Sequence, residues 1–455
     1  MKLTKLCIAA VMTALFAGCL NEGDQEESLA ETQQAHSKHH QKKGKLNPGY
    51  NLFLFEDTAF IPAQPGSDVA AGRELFGVAA GLQTRDHPPA LFTRPSFVAQ
   101  GVVASNGRTC FDCHRGTADQ FGLPEPPLSN TIPPTDPIFT GVNADSGGDP
   151  RAPALLDQHG LVKYRPNRFN AARPAEDPYR QVFFWRKSPA LLNVGLTHGV
   201  LMGGRGRTLR EAAQGAVFSH TQDSDDRFDD LLSEPAAHDF SAFLLSLVTD
   251  PALAALRDES DPMHDTLMND PFYTVPIQTK AQRRGRKVFE KACFSCHNTP
   301  NVFGNRDGAL ALGPDGLNPE FPSHAPAVGR TFNVGVSERN AHNLEFTRWT
   351  GTAFEPIVLP LANDDGTIEN HVVTFDIGLA ATTARVADIG RFKVPQLRGI
   401  ANLAPYFHDN SAATLEEVID YFDSPEYNQS KDGRHFPIHL NHKQKSDLLE
   451  FLLIL

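Results

Sequence analysis

The stretch that decides the fold is GRKVFEKACFSCH, from Gly285 to His297, where a short helical pattern leads into the motif CxxCH. A related pair of segments lies upstream, namely GRELF, from Gly72 to Phe76, and CFDCH, from Cys110 to His114. The two parts adjoin at the second site, whereas an insertion separates them at the first. Two such motifs in one chain predict a pair of equivalent cofactor sites.

The CxxCH motif suits a covalently bound haem for a chemical reason. Its two thiols add across the two vinyl groups of the porphyrin, and the adjacent histidine then ligates the iron. Zinc bound by two CxxC pairs and a thiol redox motif are alternatives, but neither requires a histidine at the fifth position. We therefore predict two covalently bound c-type haems. Their attachment sites are Cys110 and Cys113 with the iron ligand His114, and Cys293 and Cys296 with the iron ligand His297.

A longer repeat follows the two motifs. The segment RKSPALLNVGLTHGVLMGGRGRTLREA, residues 186–212, matches FKVPQLRGIANLAPYFHDNSAATLEEV, residues 392–418. In both segments a proline precedes, by 19 residues, a threonine that suits the N-cap of a helix. A helical apolar run closes each half, as DFSAFLLSL and DLLEFLLIL. The sequence therefore predicts a mainly α fold built by internal duplication, with long Gly- and Pro-rich loops and with domains at residues 48–250 and 251–455.

The N-terminus has the pattern of an export signal. A basic start, MKLTK, precedes the apolar run LCIAAVMTALFAG, which is too short to span a bilayer. Small residues before Cys19 resemble a lipoprotein processing site, although Phe16 stands where such sites usually carry leucine. We predict a signal peptide of lipoprotein type at 1–18, a lipid anchor at Cys19 and a location in the bacterial periplasm; ordinary cleavage nearby would leave a soluble periplasmic protein. The polar residues 19–47 are predicted to form a disordered tether.

Composition narrows the classes of function. The chain has 455 residues, a formal net charge of -12 and no basic stripe, which argues against nucleic acid as a partner. Of its six cysteines, Cys7 and Cys19 lie in the signal region and the other four form the two motifs. The body of the protein therefore has no cysteine for a structural disulfide.

Together these segments resemble the bacterial diheme cytochrome c peroxidase family, including its MauG-type branch. The likeness covers most of residues 65–455 and rests on both GRxxF and CxxCH units, on RKSPALLNV and above all on FKVPQLRGIANLAPYFHDNSAATLEE. The resemblance implies two cytochrome c-like helical domains whose haems lie close together at the domain interface. It also implies that the N-terminal haem meets hydrogen peroxide or another oxidant, while the C-terminal haem relays electrons.

The second haem site departs from the family pattern. The peroxidases place a methionine ligand seven residues after the leucine of the ATLEE helix, and the MauG branch places a tyrosine there. Here that position is Phe422, which cannot ligate iron, and no methionine follows His297. The neighbouring Tyr421 is our predicted distal ligand, and an oxygen or nitrogen ligand in place of a thioether would lower the haem potential. Further candidates are His408, His435, His439 and His442.

The first haem pocket departs as well. The family keeps a glutamine and a glutamate there, and the glutamate moves protons while the O–O bond breaks, which is a general acid–base task. Counted without gaps, these positions hold Ala212 and Gln222. We predict that Gln222 hydrogen-bonds peroxide and that His220 is the substitute proton carrier, with Asp223 and Asp225 as neighbouring carboxylates.

Two other family features are altered. The family's tryptophan between the haems aligns with Met202, so that only Trp185 and Trp349 are available as substitutes, and plain packing is the simpler interpretation for both. The asparagine that helps to bind the family's interdomain calcium aligns with Lys187, which makes calcium doubtful.

Three functions are compatible with these observations. The predicted function is reduction of hydrogen peroxide by a periplasmic diheme oxidoreductase, with electrons from a small donor cytochrome or similar redox protein entering at the second haem and leaving at the first. A MauG-type oxidase or oxygenase acting on a protein or organic substrate is favoured by the missing methionine ligand. A non-catalytic diheme electron carrier is favoured by the missing pocket carboxyl.

Overall fold

The computed structural model describes the chain from residue 63 to the C-terminus, with gaps. The described residues are 63–77, 108–115, 121–140, 148–170, 182–197, 201–203, 209, 212–213, 216, 220, 234–270, 272–297, 303 and 331–455. All of them lie in the second of the chain's two units, Gly44–Leu455. The predicted signal peptide, the anchor at Cys19 and the tether lie outside these ranges. Within the ranges, no helix is both long and apolar enough to cross a bilayer.

Helices provide most of the regular structure. The α-helices are α1 (Val69–Phe76), α2 (Cys110–Cys113), α3 (Pro137–Thr140), α4 (Ala152–His159), α5 (Glu234–Ser246), α6 (His264–Asn269), α7 (Lys280–Ala292), α8 (Val336–Arg339), α9 (Ala380–Thr383), α10 (Leu415–Phe422), α11 (Pro425–Gln429) and α12 (His442–Leu452). Segments of 3-10 helix cover Leu128–Asn130, Asn167–Phe169, Val194–Leu196, Pro251–Arg257, Val386–Asp388, Ile400–Asn402 and Gly433–His435. This content confirms the coarse prediction of a mainly helical fold.

The strands described here form four small antiparallel sheets of two strands each. The pairs are β1 (Leu161–Tyr164) with β2 (Phe184–Lys187), β3 (Thr331–Phe332) with β8 (Phe392–Lys393), β4 (Thr347–Trp349) with β5 (Phe354–Pro356), and β6 (Val358–Ala362) with β7 (Ile368–Val372). These strands were not among the elements predicted from the sequence. They carry the long connections between helices rather than forming a layer of their own.

Each half of the chain contains one closely packed pair of helices, α1 with α5 and α7 with α12. A glycine lies at each crossing. A β-carbon on Gly72 would lie 1.9 Å from the carbonyl oxygen of Asp239, and one on Gly285 would lie 1.9 Å from that of Asp447. Only a residue without a β-carbon permits such an approach of two backbones. The glycines of the two GRxxF segments are therefore the crossing points.

Aromatic rings fill the core beside each crossing. The ring centroids of Phe76 and Phe243 are 5.2 Å apart, and those of Phe289 and Phe451 are 5.4 Å apart. All four side chains are buried. Burying one such ring contributes roughly 1.5–3 kcal/mol. The phenylalanines that end the GRxxF segments are thus anchors of the two helix pairs.

Helix α10 begins where the sequence predicts. The hydroxyl of Thr414 accepts a hydrogen bond from the N–H of Glu417 at 3.2 Å, which is the expected N-cap contact. The upstream counterpart, Thr208, lies outside the described residues. The N-cap prediction is therefore confirmed for the second half alone.

The two halves exchange backbone hydrogen bonds. The N–H of Lys187 donates to the carbonyl of His408 at 2.6 Å, and the N–H of Lys393 donates to the carbonyl of Met202 at 3.0 Å. Beside the first contact, the guanidinium of Arg186 donates to both carboxylate oxygens of Asp376, at 2.6 and 2.7 Å. These contacts join residues that precede the predicted boundary near residue 250 to residues that follow it. The position of the boundary itself remains a prediction.

We expect a contact between His159 and His342 to make stability depend on pH. The ring centroids are 4.2 Å apart. Burial, and next the neighbouring His342, lower the pKa of His159. The folded state then takes up a proton less readily than the unfolded chain, so stability falls as the pH drops below ~6.5, the ordinary value for histidine.

Chemical unfolding of the wild type and of His159→Gln near neutral pH and near pH 5 measures this dependence. Acidification is expected to lower the unfolding free energy of the wild type more than that of the variant. Equal losses in the two proteins would show that the histidine pair does not contribute.

Candidate haem sites

The two CxxCH motifs fold in the same way. The N–H of His114 donates to the carbonyl of Cys110, and the N–H of His297 donates to the carbonyl of Cys293, both at 3.0 Å. One helical turn therefore separates the histidine from the first cysteine, and the two cysteines of a motif lie on one side of that turn. None of the four motif cysteines forms a disulfide. Each motif thus presents two thiols with the spacing that attachment to a porphyrin requires.

Both motif histidines are half-buried and have a lowered pKa. Burial lowers the pKa of His114 and of His297 to about 4. The Nδ1 atom of His297 lies 2.6 Å from the carbonyl oxygen of Phe303, and the carbonyl of Phe121 hydrogen-bonds His114. A neutral imidazole that donates one N–H to a carbonyl keeps its other nitrogen available for a metal.

The phenylalanines whose carbonyls hydrogen-bond the imidazoles have an unusual backbone conformation. Phe121 has a φ of 39° and Phe303 a φ of 52°, both in the left-handed region that bulky residues rarely adopt. A second carbonyl is supplied to the imidazoles by Pro189 in the first half and by Pro395 in the second. The two prolines align in the sequence repeat, but their hydrogen bonds to the imidazoles were not predicted. The contacts of the two phenylalanines with the imidazoles were not predicted either.

The thiols do not have the character of redox cysteines. Burial raises the pKa of Cys110 and of Cys293 to about 12, whereas reactive cysteines have a lowered pKa. Across the described ranges, no group of three or more His, Cys, Asp or Glu side chains is placed to hold a metal ion. Protonated thiols beside a neutral histidine fit covalent haem attachment better than thiol exchange.

The first motif lies between two apolar clusters. Cys110 packs against a cluster that includes Phe76, Phe243 and Leu192, and Cys113 packs against another that includes Trp185. Such walls suit an apolar cofactor, which is usually enclosed by hydrophobic and aromatic side chains.

The second motif has two buried tyrosines in its neighbourhood. Tyr421, our predicted distal ligand, donates its hydroxyl to the carbonyl of Val334 at 2.7 Å, and burial raises its pKa. Tyr427 belongs to the same apolar cluster and donates to the carbonyl of Phe436 at 3.0 Å. The pKa of Tyr427 is raised by burial and then by the charges of Cys296 and Cys293, which places it near the motif. Tyr427 was not predicted from the sequence, and the ligand role of Tyr421 remains a prediction.

Of the four histidines considered as ligands, His408 is buried. Its ring stacks on Phe392 with centroids 4.0 Å apart, and its Nε2 lies 3.5 Å from the hydroxyl of Ser337. The other three are exposed, namely His435, His439 and His442. A ligand must reach iron inside a buried pocket, so the structure favours His408 over the exposed three.

The predicted catalytic residues are described in part. His220 is half-buried, and its charge contributes to lowering the pKa of His114, which places the two side chains near each other. Gln222, Asp223 and Asp225 lie outside the described residues, so their roles remain predictions.

Trp185 and Trp349 line one cleft. The ammonium of Lys163 lies 4.8 Å from the ring of Trp185 and 2.9 Å from a carboxylate oxygen of Asp149. The ammonium is attracted to the π electrons of the indole ring. Its positive charge therefore disfavours oxidation of Trp185. Trp349 packs on Phe354 with ring centroids 4.9 Å apart. The surroundings of both tryptophans favour the packing interpretation over an electron relay.

Lys187, which aligns with the family's calcium-binding asparagine, places its ammonium group between two backbone carbonyls. The Nζ of Lys187 donates to the carbonyl of Leu403 at 2.6 Å and to that of Pro405. Its burial lowers its pKa to about 8. A fixed ammonium thus occupies these two carbonyls, and the doubt about calcium remains a prediction.

Replacing Lys187 by methionine is expected to lower the unfolding free energy by about 1.5–3 kcal/mol, the range for hydrogen bonds to charged groups. The matched change Lys443→Met removes an exposed lysine that pairs with Asp447 at 3.3 Å, and should change the unfolding free energy by about 0–1 kcal/mol. Calcium and a chelator should both leave the melting temperature of the wild type unchanged. A rise on adding calcium would contradict this assignment.

Comparisons with known proteins agree with the geometry. Over 315 residues the chain is 24% identical to the cytochrome-c peroxidase IdrP2 of Denitromonas iodatirespirans. The alignment covers 62% of this chain and 72% of the relative. Over 177 residues it is 27% identical to the gamma subunit of hydrazine synthase of Kuenenia stuttgartiensis, which covers 38% of this chain and 40% of the relative. No family model matches the chain.

Among solved structures, a MauG-like protein associated with microbial copper homeostasis aligns with 89% of this chain and 94% of its own, at 18% identity and a TM-score of 0.42. Two equivalent CxxCH sites with carbonyl-held histidines accompany the long sequence match to a cytochrome-c peroxidase. The chain is similar to diheme cytochrome c peroxidases and MauG-like proteins, and this similarity supports a peroxidase-like oxidoreductase.

Proposed function

We propose that this protein carries two covalently bound c-type haems, one at each CxxCH motif, and reduces hydrogen peroxide with electrons from a small redox protein. The observation that carries the proposal is the repeated pocket, in which a half-buried histidine with a lowered pKa hydrogen-bonds backbone carbonyls beside two cysteines that form no disulfide. When bound, haem would supply an iron centre that exchanges single electrons and accepts small oxidants. The name of the relative IdrP2, a cytochrome-c peroxidase, supports peroxide as the oxidant.

The same proposal includes an internal duplication, supported by contacts that recur at equivalent positions. Residues 186–212 and 392–418 align with a constant offset of 206, under which Lys187 corresponds to Lys393 and Met202 to His408. The two backbone hydrogen bonds between the halves join these residues reciprocally, as expected for a pseudo-twofold axis. The same offset relates Leu201, with a φ of 71°, to a second residue in the left-handed region, Phe407, with a φ of 69°.

The chain's own residues would divide the work. The thiols would fix each haem, while His114 and His297 would bind iron through the nitrogen that the carbonyls leave free. Reduction of peroxide to water consumes protons as well as electrons, so the first site needs a proton donor. We assign this task to His220, the predicted proton carrier, which is half-buried. Gln222 keeps its predicted role of holding peroxide by a hydrogen bond.

Stopped-flow mixing of the reduced wild-type protein with peroxide tests the function. Reoxidation much faster than that of free haem under the same conditions is expected. A rate no faster than free haem would exclude peroxidase activity and leave the electron-carrier alternative. Staining of the denatured protein for covalently bound haem, with a count of two haems per chain, tests the attachment separately.

A MauG-type oxidase is the second candidate, because no methionine follows His297 and a buried tyrosine pair lies near the second motif. In this case the substrate would be a protein or an organic molecule. We expect Tyr421→Phe to change the absorption and resonance spectra of the second haem, whereas Tyr427→Phe leaves them near those of the wild type. A His/Met low-spin spectrum for the second haem would count against this candidate.

We also propose that the protein is exported to the periplasm and anchored through Cys19. The support is the basic, apolar and small-residue order of the first 18 residues, and the CxxCH motifs, whose haem is attached on the outer side of the bacterial inner membrane. Fractionation of cells that express the wild type and Cys19→Ser tests it. The anchor is contradicted if both proteins fractionate with the soluble periplasm.

A further inference from the structure

Two histidines from opposite halves of the chain meet outside the CxxCH motifs. His159 is the last residue of α4, and His342 follows α8 by three residues. Both side chains are half-buried, so solvent reaches them. A metal that bonds two nitrogens at about 2.0–2.1 Å in tetrahedral geometry holds them roughly 3.3 Å apart, and ring centroids 4.2 Å apart permit that separation. The pair is therefore close enough to bind one ion together.

The imidazole of His342 is held in the form that a metal requires. Its Nε2 lies 2.8 Å from the backbone carbonyl oxygen of Asp409. A carbonyl oxygen can only accept a hydrogen bond, so Nε2 carries the proton and the lone pair of the neutral ring is on Nδ1. Metal-binding histidines usually donate their other N–H to a carbonyl in this way. The described residues give the ring of His159 no hydrogen-bond partner, so its lone pair is available as well.

The segment that holds His342 also carries oxygen atoms that lack partners. Asn410 donates its Nδ2 to the carbonyl of His159 at 2.9 Å, so residues 409–410 contact both histidines. The Oδ1 of Asn410 and the Oγ of Ser411 are buried and have no hydrogen-bond partner among the described residues. Asn410 is only 9% exposed. Buried polar atoms are normally satisfied by protein, water or an ion, so these two oxygens indicate a group that binds beside the histidines.

We propose that His159 and His342 bind a divalent transition-metal ion, with the amide oxygen of Asn410 as the third ligand and water completing the shell. In the part of the chain that the structure describes, no group of three or more His, Cys, Asp or Glu side chains is placed to hold a metal, so the protein's ligands here are neutral. Imidazole nitrogen suits Zn²⁺ and Cu²⁺, whereas Mg²⁺ and Ca²⁺ prefer carboxylates.

The ion would fasten the two halves of the chain to each other, because one histidine comes from each half. It would add to the hydrogen bonds that already join the halves near Lys187 and Lys393. This role does not depend on the haems, and it goes beyond the proposed reaction with peroxide. It makes the stability of the folded protein sensitive to the supply of a metal ion, since an ion that binds only the folded state stabilises it.

Calorimetric titration of the holoprotein with zinc, after treatment with a chelator and removal of the chelator, tests the site. We expect His159→Gln and His342→Gln each to weaken the tightest zinc binding by roughly 10–100-fold or more, because even the loss of a group behind a metal ligand has an effect of this size. Asn410→Gly suits the left-handed backbone there, with its φ of 58°, and should weaken binding to a smaller extent. The exposed His439 provides the matched control, and His439→Gln should bind zinc as the wild type does.

Thermal unfolding gives a second readout on the same proteins. Zinc should raise the melting temperature of the wild type and of His439→Gln, and should leave His159→Gln and His342→Gln near their metal-free values. The site is overturned if the wild type and both variants bind zinc with equal affinity, or if only one of the two substitutions weakens binding. Unchanged binding in Asn410→Gly would overturn the third ligand. None of these outcomes alters the haem count or the reoxidation by peroxide, so the proposed function is tested separately.

Discussion

Replacing Arg186 by methionine is expected to lower the free energy of unfolding by about 3–5 kcal/mol, the range for removing one partner of a buried ion pair. The guanidinium donates to both oxygens of Asp376 and also to the carbonyl of Gly378 at 3.0 Å. The side chains of Arg186 and Asp376 are 6% and 2% exposed, so the variant leaves a carboxylate without its partner in a site closed to water. The large effect comes from that stranded charge, more than from the attraction lost.

Arg348→Met is the matched control. Its guanidinium pairs with Glu355 at 3.2 Å, but the two side chains are 37% and 47% exposed, and such pairs contribute about 0–1 kcal/mol. Denaturant unfolding followed by circular dichroism measures both variants. The double variant Arg186→Met, Asp376→Leu should recover part of the loss, because no charge is then left buried. A loss below about 1 kcal/mol in Arg186→Met would contradict the ion pair as a link between the halves.

The sequence is sufficient to propose the two haem-attachment motifs, because CxxCH is local and its chemistry depends on three side chains within five residues. The N-cap at Thr414 was predictable for the same reason. The β6–β7 hairpin was missed although it carries a signal, since Asp365 and Gly366 form an Asp-Gly turn between two strands and Gly366 has a φ of 85°. That miss came from weighing the helical pattern above a turn signal.

Other features could not be predicted, because they depend on contacts between distant parts of the chain. Nothing near Lys187 in sequence indicates that its ammonium binds the carbonyls of Leu403 and Pro405. The carbonyl of Phe303 reaches His297 because Phe303 has a left-handed backbone conformation. The presence of a phenylalanine does not predict that conformation. Tyr427 was missed for the same reason, since it lies near the second CxxCH motif but belongs to a separate segment.

Gly285→Ala is expected to destabilise the protein by about 3 kcal/mol or more, at the upper end of the range for overpacking a core. The added β-carbon would meet the carbonyl oxygen of Asp447 at 1.9 Å and the β-carbon of Phe451 at 2.7 Å. Both obstacles are at or beside the backbone of α12, so a side-chain rotation cannot relieve them and the two helices must separate. Separation would also loosen the contact of Phe289 with Phe451, which anchors the second half.

The equivalent change Gly72→Ala meets the carbonyl oxygen of Asp239 at the same 1.9 Å and should destabilise to a similar extent. Gly203→Ala is the control, because no atom of the described residues lies within 4 Å of its added β-carbon, and it should stay within about 0.5 kcal/mol of the wild type. Thermal and denaturant unfolding of the three holoprotein variants test these expectations. Since each crossing helix leads to or packs beside a haem motif, similar losses from Gly72 and Gly285 would mean that both haem pockets depend on the same backbone approach. A large loss from one and none from the other would instead mean that the two helix pairs, despite their matching sequences, are held together by different contacts.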